Sequence, residues 1–338
     1  YLIAIIYFEQ IKDETKDAEP INKAKQRIDY FLKKYEDYSI VNLDLITYAG
    51  DLENLKKLEN KINYTFVQGD ISDRALVKEL FEKYNIDNVI HFAAESHVDN
   101  SISEPDIFVK TNVFGTFVLL DVANQYWGGN KENRFHHIST DEVYGSLGKK
   151  GIFTENTRYA PNSPYSASKA SSDMMVRSYF HTYGLNIVIT NCSNNYGPKQ
   201  HDEKLIPTII RNAIKGLSIP IYGDGRNVRD WLFVSDHCSA IDLVFHNGEI
   251  GEVYNVGADK ELSNNEIADL ICIILDTKIP REHSYKKQLT FVEDRRGHDF
   301  RYAIDSTKIK SQLSWKKKQS FIDGLHKTID FYLNKYQK

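Results

Sequence analysis

The sequence has few of the residues that would build a cross-linked, metal-binding or membrane-spanning protein. Its 338 residues include three cysteines, Cys192, Cys238 and Cys272, which lie far apart and show no paired metal-ligand spacing. This sparse, odd set favours a reducing, cytoplasmic compartment over a disulfide-stabilised secreted protein. No apolar run approaches the roughly 18 residues that span a bilayer. We therefore expect no disulfide, no metal site and no membrane association.

An excess of positive charge is missing as well. Lys and Arg number 43, Asp and Glu number 47, and the formal net charge is -4. General nucleic-acid binding needs a basic surface, so this composition argues against a nucleic-acid partner. The length is too great for one small core and suits one large α/β domain or two coupled domains.

Glycine is absent from the first 49 residues, and Gly50 is the first one. The stretch YLIAIIY can form a strand and residues 21–34 a helix, so residues 8–20 would supply the turn between them. Side chains in such a turn keep the backbone from approaching a phosphate closely. The sequence therefore excludes the usual glycine-rich phosphate turn at this place.

What the chain does contain is a regular alternation of strand and helix patterns in its first half. The predicted strands cover residues 39–43, 64–67, 88–92, 134–138 and 186–190, and the predicted helices cover residues 22–35, 74–84, 105–126 and 164–182. This alternation predicts an α/β fold with a Rossmann-like, doubly wound parallel sheet.

The second half of the chain is less regular, with frequent Gly and Pro, which predicts a smaller, interleaved α/β domain. We place the sheet domain at residues 1–190 with a returning segment at about 236–258. The smaller domain then covers residues 191–235 and 259–338.

Tyr165 and Lys169 lie four residues apart, so they share a face of the predicted helix. A nearby ammonium favours the phenolate, so we expect a lowered pKa for Tyr165. Such a tyrosine can remove the proton from an alcohol while a hydride leaves the same carbon. The spacing alone is weak, because Tyr30 and Lys34 share it. The small residues between the pair and the upstream Ser-Thr strand end strengthen it.

Two adjacent carboxylates, Asp141 and Glu142, follow Thr140 at the end of a predicted strand. Burying a charge is unfavourable unless it is paired, so a solvated loop is one interpretation. The other is an acid/base pair, in which one carboxyl stays protonated as a donor and the other is ionised as a base. Such a pair could eliminate water from a substrate.

Other strand ends carry residues suited to a dinucleotide. Asp44 ends the second strand, where a carboxylate is the expected partner of a ribose 2′-hydroxyl and favours NAD over NADP. Asp also commonly ends strands in turns, so Asp44 alone is weak support. Asp70 could flank an adenine, and the small Ala93 and Ala94 would let a flat cofactor approach the backbone.

In the second half, Arg229 has the planar fork that suits a diphosphate, and Tyr222 offers a stacking face for a base. On these residues alone, a surface arginine and a core tyrosine would be the better interpretation.

Taken together, these segments resemble the dTDP-glucose 4,6-dehydratases of the extended short-chain dehydrogenase/reductase family. The resemblance is carried by residues 93–99, 139–145, 163–170, 191–198, 229–231, 294–299 and 301–305. It begins at about residue 26 and runs to the end of the chain. The Thr140-Asp141-Glu142 triplet distinguishes these dehydratases from the related epimerases.

The resemblance implies NAD-dependent dehydration of dTDP-glucose to dTDP-4-keto-6-deoxy-glucose, which feeds deoxysugars such as L-rhamnose, by a homodimer that associates through helices near residues 105–126 and 164–182. The catalytic residues that it implies are Thr140, Asp141, Glu142, Tyr165 and Lys169. The NAD site that it implies consists of Asp44, Thr47, Asp70, Ile71, Ala93, Ala94, Ser96, Thr111, Tyr165, Lys169 and Asn195. The implied dTDP-sugar site consists of Ser96, Thr140, Asn194, Lys204, Leu205, Pro220, Ile221, Tyr222, Arg229, Asn265, Asp294 and His298.

The glycine-free start departs from this resemblance, because the family has its glycine-rich turn before the first helix. Three explanations stay open: residues 1–25 are not the native sequence, a divergent NAD site uses their lysines, or the chain binds a nucleotide sugar and has lost NAD and catalysis. If residues 8–20 are native, we expect weak or no NAD binding. A dehydratase acting on UDP-glucose is a further alternative, which the base-contacting residues 220–222 would decide.

Overall fold

The computed structural model of this chain describes residues 2–4, 38–56, 58 and 60–336. Within these residues the strands are Leu2–Ala4 (β1), Ile40–Asp44 (β2), Tyr64–Gln68 (β3), Asn88–His91 (β4), Arg134–Thr140 (β5), Ile187–Cys192 (β6), Asn194–Tyr196 (β7), Ile219–Tyr222 (β8), Val228–Phe233 (β9), Val253–Val256 (β10), Glu261–Ser263 (β11) and Leu289–Val292 (β12). The predicted first helix and the glycine-free turn before it lie outside the described residues.

Seven of these strands form one parallel sheet in the order β3-β2-β1-β4-β5-β6-β10. The chain order reverses at β1, which pairs with β2 on one side and β4 on the other, and such a switch point opens a crevice at the carboxyl ends of the strands. The predicted Rossmann-like, doubly wound fold is confirmed.

The α-helices of the described residues are Arg74–Tyr84 (α1), Val98–Ser103 (α2), Pro105–Phe108 (α3), Thr116–Trp127 (α4), Pro164–Tyr183 (α5), Leu205–Ile214 (α6), Val234–Asn247 (α7), Asn264–Lys278 (α8), Thr307–Leu313 (α9) and Phe321–Tyr336 (α10). Short 3₁₀ turns occupy Leu52–Asn54, Asp141–Tyr144 and Tyr285–Gln288. A π-helical turn, Val109–Gly115, separates α3 from α4. The segment predicted as one helix over residues 105–126 is therefore helical but interrupted.

Two large apolar cores stand out among the described residues. One fills the space between the sheet and helices α1, α4 and α5, with Val41, Phe81 and Leu119 at its centre. The other joins helices α6, α8 and α10 through Ile209, Ile271 and other buried side chains. The proposed domain boundaries stay a prediction.

Strand β10 reaches the seven-stranded sheet from the second half of the chain. It follows helix α7, and Val253 lies opposite Ile189 of β6 in the parallel register. The smaller sheets are β11-β9-β7 and the parallel pair β12-β8. Among the described residues, no helix is both long and apolar enough to cross a bilayer.

Candidate active site

The carboxyl end of β5 delivers three polar side chains to one place. Thr140 is the last residue of the strand and caps the 3₁₀ turn that follows, its hydroxyl accepting a hydrogen bond of 3.3 Å from the Glu142 backbone N–H. Asp141 is the first residue of that turn and is only 1% exposed. The cap fixes both carboxylates at the sheet edge.

Helix α5 brings Tyr165 and Lys169 to the same edge. Ser163 and Ser166 form a capping box at its first turn, Pro164 occupies the first helical position, and Gly184 ends the helix with a φ of 69°. Tyr165 therefore sits in a rigid first turn, where its side chain shares a hydrogen bond with Thr140. The predicted grouping of the Thr140 triplet with Tyr165 and Lys169 appears in the structure.

The two carboxylates meet different electrostatic surroundings. Burial raises the pKa of Asp141 well above its usual range, and the neighbouring Glu142 and Asp230 raise it further. Burial also raises the pKa of Glu142, but the cations Arg229 and Lys204 pull it down. Arg229 also opposes the rise at Asp141, and Glu142 has the further cation Lys204, so the two carboxyls are not equivalent, as an acid/base pair requires.

The prediction that the pKa of Tyr165 is lowered is wrong. Burial raises the pKa of its phenol well above the ordinary value, and the negative charge of Glu142 adds to this effect. The Lys169 ammonium donates instead to the Ile138 carbonyl oxygen at 2.8 Å, while burial lowers its own pKa. A hydrogen bond to Thr140 opposes the rise at Tyr165 but does not reverse it.

The residues expected at the adenosine end of NAD lie at the ends of β2 and β3. The Asp44 carboxylate accepts a 2.8 Å bond from the Ile46 N–H, and its pKa is raised by burial. Thr47 follows in an exposed turn. Asp70 accepts from the Ser72 N–H at 2.8 Å and lies 3.1 Å from the Lys110 ammonium.

Ile71 and Thr111 adjoin the same edge. Ile71 is buried, and a Cβ added at Gly115 would meet its Cδ1 at 2.6 Å, so the end of the π-helical turn packs directly on this side chain. Thr111 is part of that turn.

The loop after β4, which holds Ala93, Ala94 and Ser96, is attached to helix α5 by one buried side chain. Asn112 accepts from the Glu95 N–H at 2.8 Å and donates to the Glu95 carbonyl at 2.9 Å. The same amide donates to the Ser168 hydroxyl at 2.8 Å. The cofactor loop and the catalytic helix are thereby held in one arrangement.

Two asparagines after β6 have acceptor atoms to spare. Among the described residues, the side-chain oxygens of Asn194 and Asn195 are buried without a hydrogen-bond partner. The Asn195 amide nitrogen donates to the Ser193 carbonyl at 3.1 Å. Buried acceptors are normally satisfied, so these two fit contacts with a bound cofactor and sugar nucleotide.

Two predicted substrate residues face the carboxylates from the second half of the chain. Arg229 is buried, donates to the Asp299 carbonyl at 2.9 Å and stacks 4.3 Å above the Tyr302 ring. Lys204 donates to the Ser96 carbonyl at 3.0 Å, and Leu205 begins helix α6 directly after it. Both cations act on Glu142.

The remaining substrate residues form a second cluster around the β8 end. Tyr222 lies 5.2 Å from the Arg295 guanidinium and 6.4 Å from the His298 ring. His298 contacts Asp294 at 2.7 Å. The Asn265 amide donates to the Asp224 carbonyl at 2.8 Å. Pro220 and Ile221 lie within β8 itself. Burial lowers the pKa of His298, and the charge of Arg229 lowers it further, so this cluster lies near the cation that also acts on the carboxylate pair.

Two further polar side chains in the site were not predicted. Glu203 lies 3.5 Å from the Lys204 ammonium and accepts a 3.3 Å bond from the Tyr48 hydroxyl. Tyr302 donates to Asp299 at 2.6 Å, and Glu142 contributes to its raised pKa. Glu203 could have been found as the neighbour of Lys204, and Tyr302 lies inside a segment that carries the family resemblance.

A doubly wound sheet with a buried Tyr–Lys pair beside an acid/base pair defines a Rossmann-fold enzyme of the dehydrogenase and dehydratase class. The family model of GDP-mannose 4,6 dehydratase matches residues 27–328. The chain belongs to this family of nucleotide-sugar dehydratases.

Curated relatives show which dehydratases of this family the chain is similar to. A dTDP-glucose 4,6-dehydratase of Xanthomonas campestris pv. campestris is 52% identical over 301 residues, which cover 87% of this chain and 86% of that protein. The dTDP-glucose 4,6-dehydratase of Salmonella typhimurium is 49% identical over 318 residues, or 90% of this chain and 88% of that protein. The resemblance inferred from the motifs is confirmed.

The solved structures agree with the sequences. The crystal structure of a dTDP-glucose 4,6-dehydratase from Streptomyces venezuelae, which has NAD bound, superposes with a TM-score of 0.84 at 42% identity. The match covers 93% of each chain.

Proposed function

We propose that this protein is an NAD-dependent dehydratase that converts dTDP-glucose to dTDP-4-keto-6-deoxy-glucose. The observation that carries the proposal is the pair Asp141 and Glu142, whose surroundings separate their proton affinities beside the buried Tyr165. An oxidoreductase that only moved a hydride would not need such a pair. The names of the close relatives favour dTDP-glucose over UDP-glucose.

In the oxidation step, Tyr165 takes the proton from the 4-hydroxyl of the sugar. Thr140, which already shares a hydrogen bond with Tyr165, holds the 4-oxygen. This step starts from the Tyr165 phenolate, which the Lys169 ammonium favours, and it ends with the phenol. Bound NAD would supply a hydride acceptor at carbon 4 and a hydride donor at carbon 6, and so end the cycle oxidised.

In the elimination step, the new ketone at carbon 4 makes the proton on carbon 5 acidic. Glu142 removes this proton, because Arg229 and Lys204 favour its ionised form. Asp141 gives its proton to the hydroxyl on carbon 6, so that the carbon–oxygen bond breaks and water leaves. After the hydride reaches carbon 6, Glu142 returns its proton to carbon 5. Tyr165 then loses the proton that it took and Asp141 regains the one that it gave, so each residue ends as it began.

The nucleotide is held by the second half of the chain. Arg229 supplies the diphosphate contact, and Tyr222 offers its face to the thymine. The other residues that we assign to the dTDP-sugar are Ser96, Asn194, Lys204, Leu205, Pro220, Ile221, Asn265, Asp294 and His298. Residues 191–235 and 259–338 would form this substrate domain.

The cofactor lies along the carboxyl ends of the seven-stranded sheet. Asp44 binds the adenosine ribose, and Asp70 with Ile71 flanks the adenine. Thr47, Ala93, Ala94, Ser96, Thr111 and Asn195 line the rest of the NAD site. Residues 1–190 with the returning segment at about 236–258 would form the cofactor domain.

We further propose a cytoplasmic homodimer that supplies deoxysugar synthesis, for example of L-rhamnose. Sparse cysteines support the compartment. Apolar side chains exposed near the π-helical turn and on helix α5, among them Val109, Phe114 and Met174, support association through these helices.

The decisive experiment follows a label through the reaction. With dTDP-glucose deuterated at carbon 4, the protein should form a product that has lost one water and carries the deuterium at carbon 6. A product without deuterium at carbon 6 would contradict the proposed hydride return.

Tyr165→Phe should lower turnover by about 10²–10⁴-fold. Tyr183→Phe, an exposed tyrosine at the end of the same helix, serves as the control. Bound NAD in the purified protein tests the glycine-free start directly.

A further inference from the structure

Helix α5 places a buried carboxylate one turn beyond the catalytic lysine. Lys169 is 4% exposed and Asp173 is 2% exposed, and their four-residue spacing puts them on one face of the helix. The Lys169 ammonium donates to the Ile138 carbonyl at 2.8 Å. A buried ammonium needs a counter-charge, and a carbonyl oxygen supplies only a dipole.

Two hydroxyl donors hold Asp173 in place, and a third side chain lies beside it. The Ser139 and Tyr159 hydroxyls each donate to its Oδ2 at 2.9 Å. His137 Nε2 lies 3.2 Å from its Oδ1. Two of these residues, His137 and Ser139, belong to β5, the strand that ends in Thr140. Asp173 therefore joins the catalytic helix to the catalytic strand.

The titratable groups around this pair leave Asp173 as the counter-charge. Burial lowers the pKa of His91 and His137 well below the ordinary value, so both are neutral. Burial raises the pKa of the Cys192 thiol to about 12 and keeps it protonated. The phenols of Tyr144, Tyr159 and Tyr165 also have raised pKa values. The negative charges of Glu142 and Asp141 also act on Tyr165.

We propose that Asp173 is a positioning residue for the reaction: it is the buried counter-ion that keeps Lys169 charged and aimed at the end of β5. This role rests on the proposed function, because Lys169 stabilises the Tyr165 phenolate there. Asp173 is 2% exposed, and it would act on the reaction through Lys169. Burial raises the pKa of Asp173 to about 6, while Lys169, Ser139 and Tyr159 oppose the rise. The Asp173 charge that acts on Lys169 is therefore present at neutral pH and is lost as the pH falls through about 6.

The test follows the Lys169 ammonium itself. In protein labelled with ¹³Cε-lysine, the Lys169 signal is identified by its absence from Lys169→Arg. In Asp173→Asn, the Lys169 titration should move to lower pH by about one pH unit or more, since the counter-charge is gone while the amide can still accept the hydroxyl bonds. An unchanged titration would overturn the proposal. Asp236→Asn, a buried carboxylate held by backbone N–H groups, is the matched control and should leave the signal unchanged.

Activity adds a second readout. With dTDP-glucose, Asp173→Asn should lower kcat about ten- to hundredfold with little change in KM, and the alkaline limb of its kcat profile should move to lower pH. Asp173→Glu, which keeps the charge, should recover part of kcat. A wild-type protein that does not convert dTDP-glucose would refute the proposed function, yet the Lys169 titration would still decide the role of Asp173.

A milder variant covers the case in which Asp173→Asn does not fold. Tyr159→Phe removes one donor from the carboxylate and keeps its charge. The pKa of Asp173 should then rise above about 6. Because protonation of Asp173 changes the surroundings of Lys169, the Lys169 signal has an inflection on the acid side, and this inflection should move to higher pH. Tyr144→Phe removes a buried hydroxyl that bonds Asn191 and Asn255, and it should leave the inflection in place. Equal behaviour of the two variants would contradict the proposal.

Discussion

Asp141 and Asp236 are both almost fully buried, and the fold surrounds them differently. Asp236, at the start of helix α7, accepts hydrogen bonds from the Lys318 and Gln319 backbone N–H groups at 2.9 and 3.0 Å. Asp141 has one oxygen 3.5 Å from the Thr140 hydroxyl, and its other oxygen is without a partner among the described residues. A satisfied carboxylate ties chain segments together, whereas an unsatisfied one is free to hold and release a proton.

The largest expected effect is a loss of turnover on changing Asp141. Asp141→Asn keeps the shape of the side chain and removes the transferable proton, so kcat should fall by about 10²–10⁴-fold. The free energy of unfolding should stay the same or increase, because the site loses a group that burial disfavours. Steady-state turnover and urea unfolding check this pair of outcomes. A large loss of stability would mean that Asp141 is a structural residue.

The second effect breaks the structural side. Asp236→Ala leaves two partly buried N–H groups without an acceptor, so the free energy of unfolding should fall by about 1–3 kcal/mol. Turnover of the folded protein should change by no more than about twofold, since the site residues keep their partners. Urea denaturation and the kcat of the same preparation measure both. A kcat loss as large as that of Asp141→Asn would remove the distinction between the two carboxylates.

A smaller effect sharpens the comparison inside the active pair. Glu142 acts as a base only when ionised, so activity appears as the pH rises through its raised pKa. Lys204→Met removes a cation that holds this pKa down, and the acid limb of the kcat profile should move to higher pH by about one pH unit. The alkaline limb, set by the protons on Asp141 and Lys169, should move less. Lys310→Met, which breaks an exposed ion pair with Asp259, is the control and should leave both limbs in place.

The smallest expected effect concerns the N-terminal caps of helix α5, in the active site, and helix α8, away from it. Ser163 caps helix α5 and Ser263 caps helix α8, each with a reciprocal capping box. Ser163→Ala and Ser263→Ala should each lower the free energy of unfolding by about 1 kcal/mol. Only Ser163→Ala should also lower kcat, by about two- to tenfold, because Tyr165 lies in the turn that it caps. Equal kcat values for the two variants would show that the cap does not position Tyr165.

The sequence predicted best where local chemistry sets the structure. Helix α1 has the predicted bounds, because Asp73 caps its first turn and Asn85 ends it in a left-handed conformation. Thr140, Asp141 and Glu142 were likewise found from their place at a strand end. Their grouping with Tyr165 follows from the rule that parallel strands present their carboxyl ends on one side.

What the sequence did not predict depends on distant contacts. The π-helical turn holds Asn112, whose partners Glu95 and Ser168 are 17 and 56 residues away. The raised pKa of Tyr165 comes from burial and from Glu142, which only the tertiary fold brings close. Asp173 was within reach, since a carboxylate four residues after Lys169 must share its helix face.

Because strand β10 lies far along the chain, the seven-stranded sheet is completed late during synthesis. The catalytic residues of β5 and helix α5 are complete by residue 169, but the strand that closes the sheet beside β6 begins at Val253. At about 5–20 residues per second, a ribosome adds the intervening 84 residues in roughly 4–17 seconds. Once β6 is made, its outer edge has no neighbour until β10 follows. The Arg134 guanidinium likewise lacks the Val244 and Phe245 carbonyls until those residues are added. A nascent chain that pauses between β6 and β10 would expose an unpaired strand edge, to which chaperones would bind.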